Sequence, residues 1–164
     1  RRVYDGNVQI GRTGLFLRAI STVDITRWDV QGKAAGTTLH KRLRGRAEAV
    51  PSYGSGGYYR GEKGHEALRG ERRRYLDEGH DIVKMKGGRL SAAEEVERVA
   101  AVRDEIGDER TIRVDANGVW GSSTEALRNC RAFEPYDPYF REEPVMSDRV
   151  ETMAEVNDGI EYPV

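Results

Sequence analysis

Three short apolar runs, each ending in ionisable residues, recur at nearly constant spacing. Val83-Lys84-Met85-Lys86, Val114-Asp115-Ala116-Asn117-Gly118 and Phe140-Arg141-Glu142-Glu143-Pro144 set Lys86, Asp115 and Glu142 apart by 29 and 27 residues. A further run, Ala49-Val50-Pro51-Ser52-Tyr53-Gly54, ends 32 residues before Lys86. A strand, a loop, a helix and a second loop fill about that length in a parallel barrel, where about 250 residues divide into eight such units. The spacing predicts successive βα units with ionisable residues at the strand ends. In a parallel barrel those ends carry the chemistry.

The intervening residues carry matching helix signals. Ser91 with Glu94 and Ser122 with Glu125 have the form of capping boxes. Val96, Val99, Val102 and Ile106 follow the helical period and Gly107 stops it; Leu127, Cys130 and Phe133 do the same after Ser122. A helix is expected over about residues 62–78, with Leu68, Tyr75 and Leu76 inward and Gly79 ending it. Strands are expected at Ala49 to Tyr53, Asp81 to Lys86, Thr111 to Asp115 and Pro138 to Glu142. A further helix is expected from Asp148 to about Asn157, and a fifth strand beginning at Tyr162-Pro163-Val164. Gly54 to Tyr59 reads as a flexible loop. Ahead of these units, residues 1–18 read as loop or surface structure. A helix capped by Ser21 follows, weakened by Gly32 and Gly36, then a short helical turn from Leu39 to Leu43. The alternation implies a parallel sheet.

Composition narrows the function. The 164 residues carry a net charge of −1, which favours neither nucleic acid nor an acidic membrane as partner. The one dense basic run, Arg72-Arg73-Arg74, is expected on an exposed helix face. A single cysteine, Cys130, excludes an internal disulfide and fits a reducing, cytoplasmic setting. Its helical spacing makes it a packed thiol rather than a nucleophile. No apolar stretch approaches the roughly 18 residues of a membrane span.

The strand-end residues suggest one chemistry. Lys84 and Lys86 share a side of their strand, and adjacent ammonium groups repel, which lowers the pKa of at least one. A lysine held as the free amine is a general base. Asp115 and Glu142 end consecutive strands roughly 4.8 Å apart, so their carboxylates can share one ion. Mg²⁺ prefers such hard oxygen ligands. A metal ion that stabilises an enolate, beside a lysine that removes the adjacent proton, is a coherent pairing. The bland alternatives are surface lysines, an aspartate capping a turn and a glutamate paired with an arginine.

These motifs resemble the enolase superfamily, specifically its mandelate racemase and muconate-lactonizing branch, from about Ala19 to Val164. Val23-Asp24-Ile25-Thr26-Arg27-Trp28-Asp29-Val30-Gln31-Gly32-Lys33 is similar to the helix closing that family's capping domain. The resemblance implies an α/β fold: a partial TIM (β/α)8 barrel, about four βα units plus the start of strand five, preceded by the end of an α+β capping domain. Residues 1–48 would be the remainder of that cap and 49–164 the first half of the barrel. Lys86 would be the base, with Lys84 tuning it. Asp115 and Glu142 would be the metal ligands, and Asn117, Lys84 and Tyr53 would meet substrate. The implied cofactor is Mg²⁺, and the partner a small carboxylic acid, a hydroxy or sugar acid, in a homo-oligomer with no nucleic acid and no membrane.

The resemblance implies a third metal ligand at the end of strand five, about 25 to 29 residues past Glu142 by the same spacing and so past Val164. It also implies a second acid/base group on later strands, since none of His40, His65 and His80 matches the family's His–Asp pair. Dehydration, racemisation or epimerisation is the expected reaction, and cycloisomerisation the next. The 164 residues alone are expected to show no turnover. The alternative is a non-catalytic half-barrel that self-associates or binds a partner. An unrelated phosphate-binding barrel is a third reading, resting only on the glycines between Gly54 and Gly57.

Overall fold

The computed structural model describes residues 2–7, 9, 13–46, 49–59 and 64–164. It divides into two compact units, 1–50 and 51–164. The first unit is helical: α1 (Arg2–Asp5), α2 (Gly14–Ala34) and α3 (Leu39–Arg42). Helix α2 begins seven residues before Ser21, the expected cap, and takes in part of the stretch expected to be loop. Its opening runs Leu15-Phe16-Leu17-Arg18-Ala19, all good or tolerable helix formers, so nothing local stops the helix there. Gly36, at φ +57°, follows its C-terminal end.

The second unit alternates as expected: β1 (Gly54–Gly56), α4 (His65–Asp77), β2 (Ile82–Lys86), α5 (Ala92–Ile106), β3 (Thr111–Asp115), α6 (Ser123–Phe133), β4 (Pro138–Glu142) and α7 (Val150–Asp158). Among the described residues there are four strands, all parallel, in the order β1-β2-β3-β4, an unclosed stretch of barrel wall. Val83, Met85, Ile112 and Val114 are fully buried beneath the helices. They form one core with Val99, Val102 and Ile106 of α5 and Ala126, Cys130 and Phe133 of α6. Burying a side chain of this kind contributes about 1.5–3 kcal/mol.

Strand β1 lies where a loop was expected, and the expected strand at Ala49 to Tyr53 is irregular. The cause is close packing by α4. A Cβ on Gly54 would sit 2.4 Å from Tyr75 Cγ, and one on Gly56 would sit 2.5 Å from Glu71 Oε1. The strand therefore uses glycine against its propensity, because a helix ring occupies the side-chain space.

Arg72, Arg98, Arg103 and Arg141 are buried, against surface expectation. Arg72 is completely buried, its Nη1 donating to Lys84 O at 3.3 Å. Only Arg73 and Arg74 of that basic run are exposed. Arg103 spends its guanidinium on the carbonyls of Tyr136, Asp137, Gly107 and Arg110, at 2.7–3.0 Å. That joins the end of α5 to the starts of β3 and β4.

The capping box at Ser91 and Glu94 is complete. At Ser122 only half of one forms: Ser122 Oγ accepts from Glu125 N, while the Glu125 carboxylate accepts from Gly121 N. Tyr162-Pro163-Val164 is not a regular strand, yet Pro163 O accepts from Arg141 N of β4 at 3.0 Å. Cys130 is a buried packed thiol, its pKa pushed up by burial. Among the described residues, no helix is long and apolar enough to cross a membrane.

Candidate active site

Register brings the predicted residues together. Lys86 pairs with Asp115, and Asp115 with Glu142, so the ends of β2, β3 and β4 form one row. Paired residues of adjacent strands face the same side of a sheet. Lys84, two residues before Lys86, shares that side.

The four side chains form one ionic cluster. Lys86 Nζ lies 2.6 Å from Asp115 Oδ2. Lys84 Nζ lies 3.1 Å from the same oxygen and 2.5 Å from Glu142 Oε2. Lys84 and Asp115 are buried, Lys86 less so, and Glu142 is the most open at 38% side-chain exposure. Asp115 also accepts from Asn117 N at 2.9 Å through Oδ1. Asn117 adopts φ +54°, a left-handed geometry that asparagine tolerates better than most residues.

These contacts set the charge states. Burial raises the Asp115 pKa, but hydrogen bonds from Lys86, Lys84 and the Asn117 amide outweigh it, and the carboxyl ends below its ordinary value. Burial likewise pulls Lys84 down, but hydrogen bonds to Glu142 and Asp115 prevail and raise it. Repulsion between the lysines was expected to lower one pKa; for Lys84 the carboxylates reverse that.

Tyr53 lies under the cluster, with Lys84 Nζ 5.9 Å from its ring centroid and Arg113 Cζ 4.9 Å from it. Asn117, Lys86 and Asp115 line a cavity of about 520 Å³ together with Tyr58, Tyr59 and Arg89. Among the described residues, no group of three His, Cys, Asp or Glu side chains is placed to hold a metal ion. The two carboxylates offer hard oxygen donors, and the position between them already accepts a cation in the form of the Lys84 ammonium. Of the histidines in the second unit, His65 opens α4 and His80 Nδ1 stands 3.4 Å from Ser52 Oγ, both outside the ionic cluster; His40 belongs to the first unit, in α3.

Sequence reasoning missed a buried polar strut beside the cavity. Glu95, only 1% exposed, accepts from Tyr59 Oη at 2.5 Å, from Leu90 N at 2.9 Å and from Arg98 Nη1 at 3.1 Å. Arg98 Nη2 donates to Gly57 O at 2.7 Å, and its guanidinium stacks 4.0 Å from the Tyr59 ring centroid. Burial and the Glu95 bond push the Tyr59 phenol up to about 12. A signal existed: Glu95 and Arg98 share the helical face of Val102 and Ile106.

The sequence model of the family described as Enolase C-terminal domain-like matches residues 67–164. The chain is 36% identical over 163 residues to arabinonate dehydratase of Saccharolobus solfataricus, covering 99% of this chain and 43% of that protein. It is 39% identical over 138 residues to 3,6-anhydro-alpha-L-galactonate cycloisomerase of Streptomyces coelicolor, covering 84% of this chain and 37% of that protein. The crystal structure of a racemase from Streptomyces coelicolor with bound magnesium superimposes with a TM-score of 0.80 at 35% identity, covering 93% of this chain and 42% of that one. The chain thus spans about two fifths of the length of these relatives. It belongs to the Enolase C-terminal domain-like family, in the mandelate racemase and muconate-lactonizing branch of the enolase superfamily.

Proposed function

We propose that this chain supplies the base and two metal ligands of a Mg²⁺-dependent enzyme that removes the proton next to the carboxylate of a hydroxy or sugar acid. The observation that carries this is the row of Lys86, Asp115 and Glu142 on three paired strands, with Lys84 bridging the two carboxylates. Asp115 and Glu142 would hold Mg²⁺, as hard oxygen donors suit it. Bound there, the ion supplies Lewis-acid stabilisation of the charge developing on a substrate carboxylate.

The chain's own groups do the rest. Lys86, as the amine, takes the proton at Nζ. Lys84 keeps its charge and holds the substrate carboxylate, and Tyr53 and Asn117 bound the space around it. The names of the relatives support the class, since dehydration, cycloisomerisation and racemisation of an acid can all begin with loss of that proton. In this reading residues 1–48 are the remainder of a capping domain and 49–164 the first half of a barrel, acting within a homo-oligomer.

The test is exchange of the α-proton into D2O, followed by NMR across a panel of sugar acids with Mg²⁺, in an enzyme that carries these residues together with the further ligand and acid/base group expected past Val164. Exchange should stop with a chelator and with Lys86→Gln. Exchange that survives Lys86→Gln would refute the assignment of the base.

A second reading, a non-catalytic half-barrel that self-associates, draws on the edges of the sheet. Among the described residues β1 and β4 each have one strand neighbour, and open edges favour association. Size-exclusion chromatography with and without Mg²⁺ separates the two. An oligomer indifferent to Mg²⁺ and inactive in exchange favours the second.

A further inference from the structure

The cavity beside Lys86 carries a second cation that proton transfer does not use. Its charged lining groups are Lys86, Asp115 and Arg89. Lys86 and Asp115 are paired with each other at 2.6 Å. Arg89 makes no ion pair among the described residues; its guanidinium lies 6.0 Å from the Tyr59 ring centroid, at the outer limit of a cation–π contact.

The backbone beneath that guanidinium is fixed. Arg89 N donates to Tyr59 Oη at 3.2 Å, and Leu90 N donates to Glu95 Oε1 at 2.9 Å. Tyr59 and Glu95 are themselves joined at 2.5 Å, and Glu95 is buried. Two successive amides of the β2–α5 loop are thus tied to a buried couple. The Arg89 side chain projects from a pinned loop while staying exposed itself. A guanidinium presents a planar fork of donors that matches a carboxylate with two parallel hydrogen bonds.

We propose that Arg89 binds the distal carboxylate of a dicarboxylic sugar acid, so that the protein prefers aldarates to aldonates of the same chain length. This rests on the reading that the row of Lys84, Lys86, Asp115 and Glu142 takes the reacting carboxylate. The substrate then runs along the cavity from that row to Arg89. A monoacid offers the guanidinium only a neutral hydroxyl.

The experiment is titration calorimetry of the protein in Mg²⁺ buffer with two matched pairs, galactarate against galactonate and glucarate against gluconate. At least one diacid should bind about tenfold more tightly than its monoacid, the scale of a charge-assisted contact. Arg89→Gln should close that gap and leave the monoacid within about twofold. Arg89→Lys, which keeps the charge and loses the fork, should leave an intermediate gap. A gap that persists in Arg89→Gln reflects general attraction of a dianion and overturns the assignment. Equal affinities within both pairs overturn it too, and leave the proton-abstraction reading standing. Failure of every acid to bind in Mg²⁺ overturns both.

Discussion

Lys84 Nζ on β2 lies 2.5 Å from Glu142 Oε2 on β4, reaching across the strand between them. Asp115, on that middle strand, is 3.1 Å from the same ammonium. A single positive group therefore holds together carboxylates that would otherwise repel. Three adjacent strands are arranged around a seat for a cation, which is the physical basis for reading the strand ends as a site.

Gly54 should not tolerate a side chain. A Cβ there would stand 2.4 Å from Tyr75 Cγ and 2.8 Å from Tyr75 Cβ, atoms too near the helix backbone to swing away. Gly54→Ala is expected to lower stability by about 1–3 kcal/mol, the usual range for overpacking. Denaturant unfolding measures it, and an unchanged midpoint would mean that α4 sits further from β1.

Arg103 should matter far more than an ordinary helix arginine. Arg103→Met removes five hydrogen bonds and leaves carbonyls of Tyr136, Asp137, Gly107 and Arg110 short of donors. The expected loss is on the order of 3 kcal/mol. A loss below about 0.5 kcal/mol in thermal unfolding would show that water replaces the guanidinium without penalty.

Tyr59 should titrate late and stabilise in a pH-dependent way. Its phenol is raised from 10.0 to about 12. A raised folded pKa means that the contribution is complete below about pH 10 and is lost as pH climbs toward 12. Tyr59→Phe strips the buried Glu95 of one donor and should cost about 1–3 kcal/mol at neutral pH. The stability gap between the two proteins should begin to shrink above pH 10. A gap that is constant through that range would contradict a phenol held up by burial and by the Glu95 bond.

The sequence and the structure agree where the chemistry of a segment is local. β3 and β4 begin and end where alternation and strand-end carboxylates put them, and α5 follows its capping box and apolar period. They part where a distant neighbour decides. Gly54 to Gly56 is a strand because it pairs with Val83 to Met85 of β2, and glycine is needed there because Tyr75 and Glu71, from a helix that follows, take the side-chain space. Arg72 is buried because its guanidinium finds Lys84 O on the next strand. The start of α2 ran past the expected Ser21 cap because a capping residue inside a run of helix formers does not itself end the preceding turn. At the site, Lys84, Lys86, Asp115 and Glu142 were legible because parallel register turns spacing into adjacency. Tyr59, Glu95 and Arg98 were not, because their linkage joins a loop to a helix 36 residues away at its Tyr59–Glu95 bond.

The most direct test is Mg²⁺ binding by titration calorimetry to the protein and to the double variant Asp115→Asn, Glu142→Gln. Neutral amides keep the shape and remove the charge. Saturable one-site binding is expected, weakened at least about tenfold in the variant, the least that loss of a ligand should do when even the loss of a supporting group costs that much. Equal Mg²⁺ affinity in the two proteins would contradict it.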